Sequence, residues 1–119
     1  MKFDIPHLLT DLNTYIQAER GNKFQAANIK KENTGIAFMY ARRLPPVKTK
    51  AKIIFTWYCA NEKKDPDNIS FAKKFILDGL VSAGVLENDG WKQIEGFEDR
   101  FEVDKANPHI EVEIQEIGA

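Results

Sequence analysis

The segment from Lys52 to Ala60, KIIFTWYCA, constrains the fold more than any other part of the chain. It is rich in β-branched and aromatic residues, a composition that favours a strand in the interior of a sheet. After a short polar connection, Asn68 to Ala83 carries apolar residues at helical spacing, and Gly84 is well placed to end that helix. The sequence therefore predicts a central strand that leads into an amphipathic helix.

Periodicity and turn residues divide the rest of the chain into further elements. Alternating polar and apolar residues predict an initial strand. Two helices are predicted before the central strand, and two strands are predicted after the later helix. The additional predicted elements are residues 2–5, 10 or 11 to 19, 24–42, 91–103 and 110–117. The order β-α-α-β-α-β-β predicts one α/β (α+β) domain over residues 1–119, with a mixed sheet of about four strands.

Bulk properties fit a small cytoplasmic protein. Cys59 is the one cysteine, so no intrachain disulfide can form, and the sequence contains neither a membrane-length apolar run nor a signal-peptide layout. Residues 1–64 carry 12 Lys/Arg and 5 Asp/Glu (+7), whereas residues 65–119 carry 5 and 13 (−8). This asymmetry indicates either a nucleic-acid surface or two solvated faces that neutralise each other.

Two aspartates stand where the central strand gives way to the helix, in the run KKDPDN over residues 63–68. In extended backbone, side chains two positions apart point the same way, so Asp65 and Asp67 can converge on one cation. Hard oxygen ligands suit Mg²⁺, with Mn²⁺ as the alternative. Asp89 lies between the helix and the next strand, and a helix that runs out followed by a strand that runs back would bring it beside the pair.

Both acidic segments also have a purely structural interpretation. Asp-Pro-Asp-Asn is a good helix N-cap, because Asp and Asn side chains accept the free N–H groups of the first turn. Asn88-Asp89-Gly90 is equally suited to a turn. Spacing alone leaves both interpretations open.

The helix also carries a second stripe, consisting of Asp67, Phe71, Lys74 and Asp78. At about 100° per residue, Lys74 and Asp78 each lie roughly 20° from the azimuth of Asp67, whereas Lys73 lies about 120° away from it. Lys74 and Asp78 can form an ordinary i,i+4 surface ion pair. Alternatively, Asp78 orients Lys74 toward a metal-bound phosphate, and Lys73 is no more than a screened surface charge.

The combination of these pieces resembles the RusA family of Holliday junction resolvases, in particular its phage and prophage versions. The resemblance rests on DPDNISFAKKFILDGLVSAGVLENDGWKQI and the terminal strand IEVEIQEI. The family motif is D-x-D-N, a helix ending in D-[AG]-L, a short G-[VFL] turn and an acidic residue before the next strand. The match covers residues 64–117, and the N-terminal part is similar only in layout.

The resemblance implies that Asp65, Asp67 and Asp89 bind Mg²⁺, and Asn68 fills the asparagine position of the family. It also implies a helix lysine that is needed for cleavage. The family lysine normally follows the second aspartate by about one turn, where this chain has Phe71.

Counting back from Asp78 instead gives Lys74, with three extra residues near Ile69-Ser70-Phe71. The helical azimuth also favours Lys74, with Lys73 as the neighbouring candidate. The resemblance further implies a homodimer that cuts two opposing strands of a four-way DNA junction.

DNA contacts are expected from the basic half of the chain, through contacts with the phosphate backbone. The expected DNA-binding residues are Arg20, Lys23, Lys30, Lys31, Arg42, Arg43, Lys48, Lys50, Lys63 and Lys64. Three alternatives remain: a catalytically silent module that binds branched DNA, a metal-dependent nuclease acting on other branched DNA such as flaps, and an interaction protein in which Asp-Pro-Asp-Asn only caps a helix. A bacterial, phage- or prophage-encoded protein of the cytoplasm is expected.

Overall fold

The computed structural model describes residues 1–118, which form four strands and four helices. In chain order these are β1 Lys2–Ile5, α1 Leu12–Gly21, α2 Lys23–Ala41, β2 Ala51–Cys59, α3 Pro66–Ser70, α4 Lys73–Ser82, β3 Ile94–Val103 and β4 His109–Glu116. The predicted α+β class and the predicted order of elements are confirmed, with α3 and α4 together in the place of the one later helix.

The sheet is mixed, with the strand order β1-β4-β2-β3. The central strand β2 pairs antiparallel with β4 and parallel with β3. Its apolar character follows from this position, because both of its edges are hydrogen-bonded and seven of its nine residues are buried. The strands β1 and β3 stand at the two edges of the sheet.

Helices cover one face of the sheet. Alternate residues of β2, among them Phe55 and Trp57, belong to the same hydrophobic core as Phe75 and Leu80 of α4. Helix α4 packs closely on α2 at Gly79, where an added Cβ would lie only 2.5 Å from the Cβ of Ala37. The helical layer is therefore held close to the sheet through α2 and α4.

The opposite face of the sheet is polar. Residues that alternate with the core positions form ion pairs there, such as Lys52 with Glu98 at 3.0 Å and Lys2 with Glu111 at 3.6 Å. Ile54 of β2 lies on this face and is nevertheless buried. Long charged side chains on the neighbouring strands can cover apolar atoms in this way.

The prediction of one continuous helix over Asn68 to Ala83 is wrong. Helix α3 begins at Pro66, and the helical path breaks at Phe71 and Ala72 before α4 begins. At the break, the backbone N–H groups of Lys74 and Phe75 donate to carbonyl oxygens three residues earlier, a tighter turn than an α-helix. The azimuth of Lys74 relative to Asp67 therefore does not follow from 100° per residue.

The predicted helix boundaries agree with the structure elsewhere. Asp11 is the N-cap of α1, and its side chain accepts a hydrogen bond from the backbone N–H of Thr14. Gly84 has φ of 74°, the left-handed conformation that ends α4 at little steric cost for glycine. Among residues 1–118, no helix is both long and apolar enough to cross a membrane.

Candidate functional site

The first two aspartates of the candidate site lie where β2 is followed by α3. Asp65 is the N-cap residue of α3, yet its side chain makes no capping hydrogen bond, and Pro66 occupies the first turn. Asp67 lies in the same turn, and both aspartates are exposed. The carboxylate of Asp65 therefore does not cap the helix, although the purely structural interpretation of this segment expects it to do so.

Asn68 connects this turn to the N-terminal part of the chain. The residue is 8% exposed, and its Oδ1 accepts a hydrogen bond of 2.9 Å from the backbone N–H of Asn13 in the first turn of α1. A buried side-chain amide whose oxygen accepts a hydrogen bond from another element holds the two elements in fixed relative positions. Asn68 thus positions the segment that carries Asp65 and Asp67.

A second connection to α1 runs through Lys64, one residue before Asp65. The ammonium of Lys64 lies 2.5 Å from Oδ2 of Asp11, whose side chain is only 8% exposed. Burial by itself would raise the pKa of Asp11, but the hydrogen bonds from Lys64 and Thr14 and the charge of Lys64 outweigh it and lower the pKa. Lys64, predicted to bind DNA, is therefore also engaged within the chain.

Lys74 projects from the exposed side of α4. Its Nζ donates a hydrogen bond of 3.0 Å to Oδ1 of Asp78, as the i,i+4 spacing predicted. This hydrogen bond is the main reason that the pKa of Lys74 is raised; burial opposes it, and the negative charges of Asp78 and Asp89 raise the pKa further. Lys74 is consequently a firmly protonated cation that is held in place by Asp78.

Asp89 approaches this lysine from a distant part of the chain. It follows α4 in the connection to β3, where the side chain of Asn88 accepts a hydrogen bond from the Asp89 backbone N–H. Its charge contributes to the raised pKa of Lys74, fifteen positions earlier in the sequence. The fold thus brings the third predicted carboxylate to the side of α4 that carries the predicted lysine.

The prediction that Lys73 is a screened surface charge is wrong. Its side chain is 23% exposed, and its Nζ lies 2.5 Å from Oδ2 of Asp99 on β3. The ammonium also lies 5.5 and 5.2 Å from the ring centroids of Phe55 and Phe97, within the range of cation–π attraction. Lys73 therefore faces the sheet, whereas Lys74 faces away from it.

Asp99 accepts a second hydrogen bond, 2.9 Å long, from Nε1 of Trp57. Sequence reasoning missed this cluster of Lys73, Asp99 and Trp57, because only the parallel register of β2 and β3 places Asp99 opposite Phe55 and beneath α4. The alternation of charged residues in β3 gave no sign that one of them faces the helices.

Among residues 1–118, the carboxylates of Asp65, Asp67 and Asp89 make no side-chain hydrogen bond or ion pair. Three other aspartates are each paired with a lysine: Asp11, Asp78 and Asp99. Uncommitted carboxylate oxygens are the donors that Mg²⁺ and Mn²⁺ prefer. By their chemistry, the three aspartates fit a hard divalent cation.

The three carboxylates do not form one compact group. Within residues 1–118, no three or more Asp, Glu, His or Cys side chains are grouped so that they could hold a metal ion. The shared three-aspartate site therefore stays a prediction.

An open cleft lies beside Asp65. It has a volume of about 330 Å³, and its lining includes Lys64 and Asp65 on one side and Phe101 and Val103 of β3 on the other. A second depression contains Asp89 together with Trp91 and Phe97, and Trp91 is 93% exposed. The edge strand β3 thus borders the surroundings of both acidic segments.

All ten predicted DNA-binding residues are exposed. They lie mainly on the helical side of the chain and on the link into β2: Arg20, Lys23, Lys30, Lys31, Arg42, Arg43, Lys48, Lys50, Lys63 and Lys64. Lys50 pairs weakly with Glu95 at 3.7 Å, and Lys64 pairs with Asp11. This distribution provides positive charge on the layer opposite the acidic face of the sheet.

The chain matches no protein-family model, and it matches no curated protein.

Proposed function

We propose that the protein is a divalent-metal-dependent, structure-specific DNA endonuclease that resolves four-way junctions. The observation that carries the proposal is the state of the acidic residues beside α3 and α4. Asp65, Asp67 and Asp89 have no side-chain partners among residues 1–118, and the charge of Asp89 acts on a lysine that Asp78 holds in place.

Asp65, Asp67 and Asp89 would hold the cation. When bound, a divalent cation supplies polarisation of the scissile phosphate and activation of a water for attack at phosphorus. Lys74 contributes a fixed positive charge where negative charge develops on the phosphate oxygens, and Asp78 keeps its ammonium oriented. Asn68 positions the Asp65 and Asp67 turn through its hydrogen bond to α1.

The charge distribution supports an approach of DNA from the helical side. The free face of the sheet carries more carboxylates than cations, and Asp4, Glu102 and Glu113 make no ion pair there among residues 1–118. The exposed basic residues lie on α1, on α2 and on the links around β2, where contacts with the phosphate backbone are independent of base sequence. Binding should therefore weaken steeply as salt concentration rises.

The proposal includes a homodimer, because cutting two opposing strands of a junction requires two active sites. It also places the protein in the cytoplasm of a bacterium, encoded by a phage or prophage. A catalytically silent binding module and a flap nuclease are the two competing functions.

The test is a cleavage assay with four substrates of matched sequence: a four-way junction, a flap, a duplex and a single strand. We expect Mg²⁺-dependent cuts in two opposing strands of the junction, and weak or no cutting of the other three. Asp67→Asn should abolish cleavage but leave junction binding in Ca²⁺ and the unfolding temperature close to those of the wild type. The fold is retained because the side chain of Asp67 makes no hydrogen bond or ion pair among the described residues 1–118.

Asp4→Asn is the matched control, since Asp4 is an exposed aspartate on β1, at the opposite edge of the sheet from β3. It makes the same change in net charge and should cleave at the wild-type rate. Binding of the junction without cleavage in Mg²⁺ or Mn²⁺ would favour the silent binding module, and preferential cutting of the flap would favour the flap nuclease. Cleavage that survives Asp67→Asn would contradict the proposed site.

A further inference from the structure

Within the described residues 1–118, one edge of the strand β3 has no partner strand. It has ten residues, pairs with β2 along its inner edge, and is the last strand in the order β1-β4-β2-β3. An exposed edge of this length offers a row of free N–H and C=O groups to another strand. Proteins commonly block such edges with proline or with charged side chains. The sequence of β3, IEGFEDRFEV, contains no proline, and its five charged residues include both signs.

The same strand exposes apolar side chains. Phe97, Phe101 and Val103 are 44%, 38% and 53% exposed, and all three lie on the face of β3 that is directed toward the helices. They point to the same side as Phe55 and Trp57 of the core, but the helical layer does not fully cover them. The edge therefore combines free backbone groups with uncovered aromatic surface.

The sequence of β3 is complementary to itself in one antiparallel register. If Asp99 lies on a two-fold axis perpendicular to the sheet, Phe97 stands opposite the partner's Phe101 and Glu98 stands opposite the partner's Arg100. Each pair occurs twice, so the register contains two aromatic pairs and two pairs of opposite charge. Cross-strand pairs of both kinds stabilise antiparallel strands.

The neighbouring registers are unfavourable. A two-fold axis perpendicular to the sheet keeps the helix-facing sides of both sheets on the same side, so a helix-facing residue can pair only with another helix-facing residue. From one allowed register to the next, the sum of the two paired residue numbers therefore changes by two. Moving the axis to residue 98 places Phe97 opposite the partner's Asp99, and moving it to residue 100 places Phe101 opposite the partner's Asp99, so either move loses both aromatic pairs. In the register centred on Asp99, the two central carboxylates are each neutralised by their own Lys73, 2.5 Å away.

We propose that β3 pairs with β3 of a second copy in this register, which joins two four-stranded sheets into one of eight strands. The perpendicular axis leaves both helical layers on the same side of the joined sheet. Both sets of Asp65, Asp67 and Asp89 then face the same side, as the proposed cleavage of one junction at two points requires. The interface deepens the proposed function, but the contacts that define it do not depend on cleavage.

The first measurement is the mass of the protein in solution by light scattering, without DNA or metal. We expect twice the mass of one chain. For Phe97→Glu, we expect the dissociation constant of the dimer to rise at least tenfold. Phe24→Glu is the matched control, because Phe24 is 80% exposed on α2, away from β3, and it should leave the dimer intact.

The second measurement tests the register and does not depend on the stability of the Phe97 variant. In Glu98→Cys/Arg100→Cys, the introduced thiols of the two copies face each other, so mild oxidation should give a covalent dimer. In Glu98→Cys/Glu102→Cys they do not face each other, and no covalent dimer should form. The native Cys59 is buried and should not interfere.

A monomer at all concentrations would overturn the proposal, as would a dimer that Phe97→Glu leaves unchanged. Preferential crosslinking of the Glu98→Cys/Glu102→Cys pair would overturn the register. Because neither measurement involves DNA or a divalent cation, an inactive protein that forms the crosslinked dimer refutes the proposed function alone. A fully active monomer refutes the interface and the proposed homodimer, and leaves the proposed metal-dependent cleavage standing.

Discussion

The two adjacent lysines of α4 should separate cleanly into one that stabilises the fold and one that serves cleavage. Lys73 pairs with Asp99 at 2.5 Å, with both side chains about three-quarters buried, and its ammonium lies over two aromatic rings. Lys74 pairs with Asp78 at 3.0 Å on the surface, with 55% of its side chain exposed. Replacing each lysine by alanine therefore removes interactions of different strength.

For Lys73→Ala, removal of one partner of a fully buried ion pair costs about 3–5 kcal/mol, and a hydrogen bond to a charged group contributes about 1.5–3 kcal/mol. Because about a quarter of each side chain remains exposed, we expect a loss near the lower end, about 2 kcal/mol in the free energy of unfolding. That corresponds to a fall of about 8 °C in Tm for a domain of this size. Lys74→Ala should cost only about 0.4 kcal/mol, as expected for an i,i+4 surface pair.

Urea unfolding followed by tryptophan fluorescence measures both losses. The double variant Lys73→Met/Asp99→Asn is the control, since it removes the uncompensated carboxylate and keeps an apolar stem over Phe55 and Phe97. It should recover at least half of the stability lost in Lys73→Ala. The expectation fails if Lys74→Ala is the more destabilised variant.

The cleavage rates should show the reverse order. Single-turnover cleavage of a four-way junction in saturating Mg²⁺ should fall about a hundredfold in Lys74→Ala, since a preorganised charge acts mainly in the transition state. Lys73→Ala should cleave within a few-fold of the wild-type rate at a temperature where it is fully folded. A dead Lys73→Ala with native stability, next to an active Lys74→Ala, would refute both assignments.

Three further outcomes are expected. Gly79→Ala should destabilise the protein by about 1–3 kcal/mol in urea unfolding, because its new Cβ would overlap Ala37, whereas Gly35→Ala has open space and should not destabilise it. Asp11→Asn should cost about 1 kcal/mol at pH 7 through the weakened N-cap and the lost ion pair with Lys64. Since the pKa of Asp11 is lowered in the folded state, its carboxylate stabilises the fold above the unfolded-state pKa and loses this effect as pH falls through the folded-state pKa. The difference between Asp11→Asn and the wild type should therefore shrink toward pH 3, and a constant difference between pH 7 and pH 3 would contradict this.

The secondary-structure order followed from local patterns in the sequence. Alternation and helical spacing report which face of each element is buried, so β1, α2, β2 and β4 were predicted to within one or two residues. The N-cap at Asp11 and the left-handed conformation of Gly84 could also be predicted, because both depend on the chemistry of single residues. The same patterns indicated the pairing of Lys74 with Asp78, which lies within one turn of helix.

Most contacts between distant segments could not be predicted from the sequence. The break at Phe71 and Ala72 and the burial of Lys73 against Asp99 both depend on how α4 lies on a sheet in which β3 runs parallel to β2. Local propensity carries no information about which strand stands beside which, because that choice is made by packing of the whole core. The sequence by itself therefore determined the elements and the candidate acidic residues, and only the tertiary structure decided which lysine faces solvent and which edge of the sheet is free.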